Sequence, residues 1–486
     1  MFFLFFISVF KFKKVSISRK VAYNVVASSI SKILSTLAAL VGIGLITRYL
    51  GQDGFGIYAT ALTFLSFFGA LGDWGVYQTA TREISRPKSK EGEIMSNAIG
   101  IRLTISLLIV LITPIVVLIL PYPTELKIAI FIIALSYIFS SFYQILNGLF
   151  QKRLMMDRVT FAELIGKIIQ VVLIYIGIKL DLGFYFIVGT LLVNMIVNFS
   201  IVAFLAKKFI RLKPKVDKIY WKNFLKQSLP VGLSVAVTFL YFKAGIILLS
   251  LLRPASDVGI YSAAHKVIEN ITFFPSMIVG LTMPMFAYNI FHKREKFEFL
   301  ANKNLKVFFI LTMPLVIGGW FLAEDIISII IGPDFGPSAK VLKIIIFALA
   351  FIFFGNLFSN ILVVAKLQKY LLAILSICAI FNLTLNLIFI PKFSYLATAY
   401  ISTITELMVA VLTCLVIIFK LKYLPHFSKA TSIILSGFLM AIYLWHFDGR
   451  NFFFLFFSSS LIYLAGLIIL KAISKKELLS LIKKEV

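Results

Sequence analysis

Seven ionisable side chains lie inside long apolar runs of this sequence: Lys32, Asp73, Lys243, His265, Lys266, Glu269 and Glu406. If those runs cross a bilayer, each buried charge costs at least ~2.5–3.5 kcal/mol, which makes it a candidate for function. Lysine offers phosphate a point charge without the fixed geometry of a guanidinium. That chemistry suits an anionic ligand that moves. Lys32, Lys243 and Lys266, with His265, are therefore candidate substrate-binding groups. Asp73, Glu269 and Glu406 could instead bind H⁺ or Na⁺ and couple an ion gradient to movement. His265 could titrate near physiological pH, or simply sit in an outer vestibule. The same residues have a plainer use as partners for one another. Lys266 and Glu269 are spaced i,i+3, while His265 and Glu269, like Glu163 and Lys167, are spaced i,i+4. Arg102, read near the inner end of a helix, can snorkel to the interface.

The elements that position these groups are membrane spans. The chain has 486 residues, of which 60% are hydrophobic and 14% charged. A soluble domain carries about a quarter charged residues. The apolar residues come in runs of the ~20 that a spanning helix needs. Fourteen helices are predicted, near 22–47, 57–80, 98–120, 126–150, 162–179, 183–206, 227–252, 258–287, 304–323, 339–364, 370–391, 394–419, 429–446 and 451–472. Numbering the loops alternately puts 35 Lys and Arg on one side and six on the other. This bias predicts a multi-pass protein of the cytoplasmic membrane with its N-terminus inside. The net charge of +27 therefore reflects inner loops and not nucleic-acid binding. Residues 1–10 are apolar but lack a preceding basic region and a cleavage site, so they read as an uncleaved interfacial segment. Cys378 and Cys414 sit in apolar runs and read as small hydrophobes.

The longest polar connection, residues 207–226, divides the chain. Its end, with Ile219, Tyr220, Phe224 and Leu225 among Lys222 and Lys226, reads as an amphipathic helix on the inner surface. The two sides of this divide repeat. Phe55-Gly56-Ile57-Tyr58-Ala59-Thr60-Ala61 matches Val258-Gly259-Ile260-Tyr261-Ser262-Ala263-Ala264 at an offset of 203. An even number of helices per repeat gives a parallel repeat about an axis along the membrane normal. The expected organisation is an N-terminal segment 1–20, a six-helix bundle 21–206, a basic linker 207–226, a second bundle 227–420, and two further helices with a basic tail in 421–486. Prolines 114, 230, 275, 284 and 314 fall in or beside apolar runs, and Pro230 and Pro275 would kink helices seven and eight.

Arg48-Tyr49-Leu50-Gly51 with Phe55-Gly56-Ile57-Tyr58, then Leu71-Gly72-Asp73-Trp74-Gly75-Val76 ending at Arg82-Glu83-Ile84, form a set of motifs. They resemble the polysaccharide flippase family, which handles O-antigen and other lipid-linked oligosaccharides within the multidrug/oligosaccharidyl-lipid/polysaccharide exporter superfamily. Gly259-Ile260-Tyr261 and Ile331-Gly332-Pro333-Asp334-Phe335 also fit, and the likeness runs over about residues 15–420. The resemblance implies an all-α membrane fold of two six-helix bundles around a central cavity, with two extra helices. Helices one, two, seven and eight would line the cavity. Arg48, Gly51, Gly56, Tyr58, Gly259 and Tyr261 are then structural motif residues. The implied activity is alternating-access flipping of polyprenyl-(pyro)phosphate-linked oligosaccharide for cell-surface polysaccharide. The implied partners are that substrate, membrane lipids and the polymerase or ligase machinery, with the protein a monomer. No cofactor is implied beyond H⁺ or Na⁺.

Two other readings stand beside this one. A cation-coupled multidrug exporter of the same superfamily would favour acidic and aromatic groups over lysines. A membrane-embedded enzyme or assembly subunit of a glycan pathway would need a site geometry that the sequence does not display. There is no Walker A loop and no His/Cys cluster at metal spacing, and the predicted outer loops are short.

Overall fold

The computed structural model describes residues 17–473 apart from positions 88 and 212. The segment 1–10, expected at the interface, lies outside the described residues. Among the described residues every regular element is helical. The first half runs α1 Ile17–Asp73, α2 Val76–Ile84, α3 Glu91–Ile119, α4 Thr124–Lys152, α5 Met156–Lys179 and α6 Gly183–Ala206. Then come α7 Lys218–Leu252, α8 Ala255–Glu269, α9 Phe273–His292, α10 Arg294–Phe321 and the short α11 Ala323–Ile330. A 3₁₀ turn, Pro333–Phe335, leads into α12 Gly336–Val364, α13 Gln368–Leu421, α14 Ala430–His446 and α15 Phe452–Ile469.

Two of these helices are too long to be single spans. At ~1.5 Å per residue, α1 and α13 would each exceed ~80 Å against a hydrocarbon core of ~30 Å. Each contains one non-helical residue that divides it, Gly51 (φ 67°, ψ −171°) in α1 and Ser394 (φ 51°, ψ −135°) in α13. The Gly51 conformation is one that essentially only glycine adopts, because a Cβ there meets its own backbone. Among the described residues nine helices are long and apolar enough to cross a membrane, and up to eleven if α7 and the pair α8 and α9 each count as one bent span. Dividing α1 and α13 and adding the shorter α14 brings the described apolar segments to fourteen. They coincide with the fourteen predicted from sequence.

Three boundaries differ from the sequence expectation, each for a local reason. The second predicted helix, 57–80, breaks where Trp74 and Gly75 both take positive φ (44° and 71°). The amphipathic stretch after residue 218 is the first part of α7 and not a separate surface helix. Its apolar side is packed into protein: Phe224 is buried, and Tyr220, Trp221 and Leu225 join a core with Met95, Ile99 and Phe150. Trp221 donates to Asn97 at 3.2 Å, and the linker amide of Lys215 to the Ser96 carbonyl at 3.0 Å. The predicted helix 258–287 is interrupted at residues 270–272 and not at Pro275. Pro275 sits in the first turn of α9, where a missing N–H costs nothing.

The chain divides into two compact units. One comprises residues 1–42 and 64–235, the other residues 43–63 and 236–486. Residues 43–63 thus pack with the later part of the chain, although sequence order assigns them to the first bundle. In the first unit, α3, α4, α5 and α6 surround a core of Met95, Ile101, Ile145, Leu149, Val159 and Val202. In the second, α14 and α15 pack on α10 through Ile433, Met440, Leu455 and Leu467, and Tyr463 donates to the Ile310 carbonyl at 2.9 Å.

The sequence repeat is a physical contact within the second unit. A Cβ placed on Gly56 would collide with the carbonyl of Ala255 and lie 3.1 Å from the Gly259 nitrogen. A Cβ on Gly259 would collide with the carbonyl of Gln52 and lie 3.2 Å from the Gly56 nitrogen. Gln52 and Ala255 are themselves 203 residues apart, as are Gly56 and Gly259. The crossing is therefore reciprocal, as a local two-fold relation between repeats requires. Small residues let two helix backbones approach this closely in a membrane. Gly56→Ala is expected to destabilise the protein by about 1–3 kcal/mol through overpacking. Gly69→Ala, with open space around it, should be neutral or slightly stabilising. Thermal unfolding of the two purified variants compares them, and equal midpoints would refute the close crossing.

Candidate functional site

Helices α7 and α8 bring four of the predicted site residues together. Lys243 comes from α7, and His265, Lys266 and Glu269 from the last turn and a half of α8. The Lys243 ammonium donates to Glu269 Oε1 at 2.7 Å, and that of Lys266 to Oε2 at 2.7 Å. His265 Nδ1 lies 3.9 Å from the same Oε2. One carboxylate is therefore shared by two ammonium groups, and the trio carries a net charge of +1. The α8 helix ends at this point. Asn270 Nδ2 donates to the Lys266 carbonyl, which also accepts the Asn270 amide, and Thr272 donates to the Glu269 carbonyl, each side-chain bond being 2.8 Å. Lys266 also lies at the negative end of the helix dipole.

The chemistry available is anion exchange. Each ammonium is held by charge-assisted hydrogen bonds to a carboxylate oxygen, and a phosphate oxygen can replace that oxygen at similar length. Lys243 is 9% exposed, and the side chains of Lys266 and Glu269 are 24% and 31% exposed. The carboxylate holds the lysines in place at modest net cost, because a pair in a partly buried setting repays most of its desolvation.

Glu406 belongs to the second helix of α13 and is 8% exposed. It shares a small cavity with His265 and Tyr261. The remaining candidates have partners within the first unit. Lys32 donates to Glu163 at 3.3 Å, and Tyr143 donates to the other oxygen of Glu163 at 2.8 Å. Glu163 thus reaches α1 and α4, whereas Lys167, its expected i+4 partner, donates to Gln170 at 2.8 Å. Asp73 forms an ion pair with Arg102, both side chains being nearly inaccessible. Arg102 does not snorkel: α3 begins at Glu91, so Arg102 lies about three turns, ~16 Å, inside the helix. Its guanidinium also donates to Gln144 at 3.1 Å and to the Gly72 carbonyl at 3.3 Å.

The motif residues are structural in this fold. Arg48 donates to the carbonyls of Ser328, Ile329 and Ile330 at 3.1, 2.7 and 3.3 Å, which caps the C-terminus of α11 with a cation. Thr47 donates to the Ile331 carbonyl and Gln52 to that of Asp334, both at 2.5 Å. Phe55 meets Phe335 edge to face at 6.0 Å. The Ile331–Phe335 motif is thus the receptor for the Arg48 motif. Tyr58 and Tyr261 are both buried, and the Tyr261 hydroxyl meets Ser402 Oγ at 3.1 Å. Sequence reasoning did not single out Arg102 as the partner of Asp73, nor Ser402 and Thr405 beside Glu406. The usable signal for Arg102 was that it falls in no loop.

A family model described as polysaccharide biosynthesis protein matches residues 21–291, more than half the chain. The chain belongs to that family. A second family model, MatE, matches residues 230–388. The capsular polysaccharide biosynthesis protein CapF of Staphylococcus aureus is 24% identical over 282 residues, covering 57% of this chain and 71% of CapF. The succinoglycan biosynthesis transport protein ExoT of Rhizobium meliloti (strain 1021) is 25% identical over 350 residues, covering 68% and 66%. Among solved structures, the lipid II flippase MurJ in an inward closed conformation superposes with a TM-score of 0.76 at 19% identity, covering 93% of this chain and all of that one. An inward-facing multidrug resistance MATE transporter superposes with a TM-score of 0.65 at 14% identity, covering 82% and 99%. At those identities the superpositions show the fold. The chain is thus a polysaccharide biosynthesis family protein whose fold is shared with MurJ and the MATE transporter.

The Asp73–Arg102 pair has a measurable consequence. Arg102→Ala leaves a buried carboxylate without its cation and should cost about 3–5 kcal/mol. Replacing both residues with apolar ones of similar volume should recover most of that loss. Thermal unfolding of the purified single and double variants checks this, and an unchanged midpoint in Arg102→Ala would show that the pair is not formed.

Proposed function

We propose that this protein moves a polyprenyl-(pyro)phosphate-linked oligosaccharide from the cytoplasmic to the outer leaflet by alternating access, for cell-surface polysaccharide synthesis. The observation that carries the reading is the Lys243–Glu269–Lys266 cluster: two ammonium groups held on one exchangeable carboxylate. The diphosphate of such a lipid presents several anionic oxygens and could take both lysines at once. Membership of the polysaccharide biosynthesis family supports a glycan cargo. So do relatives named for capsular polysaccharide biosynthesis and succinoglycan transport. The excess of Lys and Arg in alternate loops supports an N-terminus on the cytoplasmic side. Membrane lipids and the enzymes that polymerise or attach the glycan are the partners this role requires, and a monomer suffices for it.

A charge-assisted hydrogen bond is worth about 1.5–3 kcal/mol, or about 10- to 100-fold in binding. Lys243→Ala with Lys266→Ala should therefore cut surface polysaccharide at equal protein level, and Lys→Arg at either position should retain part of it. Export unchanged in the double variant would refute the phosphate role of the cluster. The MatE match over residues 230–388 favours a second reading, a cation-coupled exporter of small drugs. Efflux of a cationic dye by cells expressing the protein, lost on Glu269→Gln, would support that reading over the first.

A further inference from the structure

Beside the lysine cluster, the second unit has a small, partly open pocket of about 30 Å³. That is room for one or two waters. Most of its wall is apolar, with Phe242 from α7, Ile268 from α8, and Ile345, Ala348 and Ile352 from α12. Glu406 opens onto it and makes no hydrogen bond or ion pair among the described residues. An ionised carboxylate left this way would cost several kcal/mol, whereas a protonated one costs much less. The second unpartnered group in the cavity wall is His265, whose buried Nδ1 has no hydrogen bond. Its ring stacks on Tyr261 at 5.7 Å, and its Nδ1 faces Glu269 Oε2 at 3.9 Å.

We propose that Glu406 is the proton-carrying site of the transport cycle and that His265 passes its proton to the Lys243–Glu269–Lys266 cluster. The proposal rests on the transport reading above and adds a coupling route to it. When a phosphate takes the two lysines, the Glu269 carboxylate loses both of its cations. His265 then receives a proton from Glu406, through cavity water, on its other ring nitrogen and releases the Nδ1 proton to Glu269. One proton moves from Glu406 to Glu269, and the histidine ends neutral. The ionised Glu406 is uncompensated in an apolar wall, so it must be reprotonated before the cycle repeats. The titratable groups facing Glu406 are Tyr261 and His265 on α8 and Cys378 on the first helix of α13. The surrounding hydroxyls are already engaged. Ser402 meets Tyr261, while Thr405 donates to the Ile401 carbonyl at 2.7 Å and accepts from Asn382 at 3.0 Å. A sodium ion would need several free oxygen ligands, whereas a proton needs one.

Two measurements test this. Infrared difference spectra of the purified protein should contain a buried carboxylic-acid C=O band that shifts in heavy water. The band should vanish in Glu406→Gln and persist, displaced, in Glu406→Asp. Its absence from the wild type would overturn the proposal. In sodium-free proteoliposomes enclosing a pH-sensitive dye, added undecaprenyl pyrophosphate should drive a proton flux in the wild type. Glu406→Gln should lose that flux while still binding the lipid. A flux that persists in Glu406→Gln, or one that requires sodium, overturns the proton role. A wild type that binds and moves the lipid without protons overturns the proton role alone. A wild type that does not bind the lipid overturns the transport reading with it.

Discussion

Charge in hydrocarbon must be paired, and most of this structure's long-range order follows from how that is done. Lys32 of α1 meets Glu163 of α5, Asp73 of α1 meets Arg102 of α3, and Lys243 of α7 meets Glu269 of α8. Each pair joins two different helices, from 26 residues apart for Lys243 and Glu269 to 131 for Lys32 and Glu163. The pairs differ in how completely they are enclosed. Asp73 and Arg102 are sealed, and their chemistry is exhausted by holding helices in register. Glu269 keeps about a third of its side-chain surface open and holds two cations. That difference separates a structural pair from one that can exchange its anion.

Breaks in the helices follow the same division between support and function. Gly51 and Pro254 stand at equivalent points of the repeat and interrupt the chain by different means, one by a backbone that tolerates positive φ, the other by a ring that cannot donate. Just beyond each break, Gly56 and Gly259 allow the two repeats to touch backbone to backbone. The break after Glu269 serves the site instead. It ends α8 at the shared carboxylate and lets the side chain of Thr272 reach the Glu269 carbonyl. Arg48 plays the converse role at α11, where a single guanidinium collects the last three carbonyls of a two-turn helix.

The fold is held in common with a lipid II flippase and with drug transporters at identities of 19% and 14%. Such distance leaves the cargo to be decided by side chains. Here the second unit presents two lysines on one acid, next to a separate acid that has no hydrogen-bond or ion-pair partner among the described residues. Under the reading proposed above, those two features would serve an anionic headgroup and a proton.

The sequence by itself determined the class of protein and its spans. Runs of about 20 apolar residues can only be satisfied in lipid as helices, and the fourteen predicted coincide with fourteen helical segments. Motifs such as Arg48 to Tyr58 were legible because glycines and an arginine at fixed places serve local backbone needs. The i,i+3 pairing of Lys266 and Glu269 was legible because one helix sets it. What only the tertiary structure decided was which distant helix supplies each remaining partner. Nothing in the spacing shows that Arg102 lies three turns deep against Asp73, or that Lys243 completes the Glu269 site. Equally, only packing reveals that Glu406 has none among the described residues. Periodicity is a property of one helix, whereas partnership and its absence are properties of the space between several.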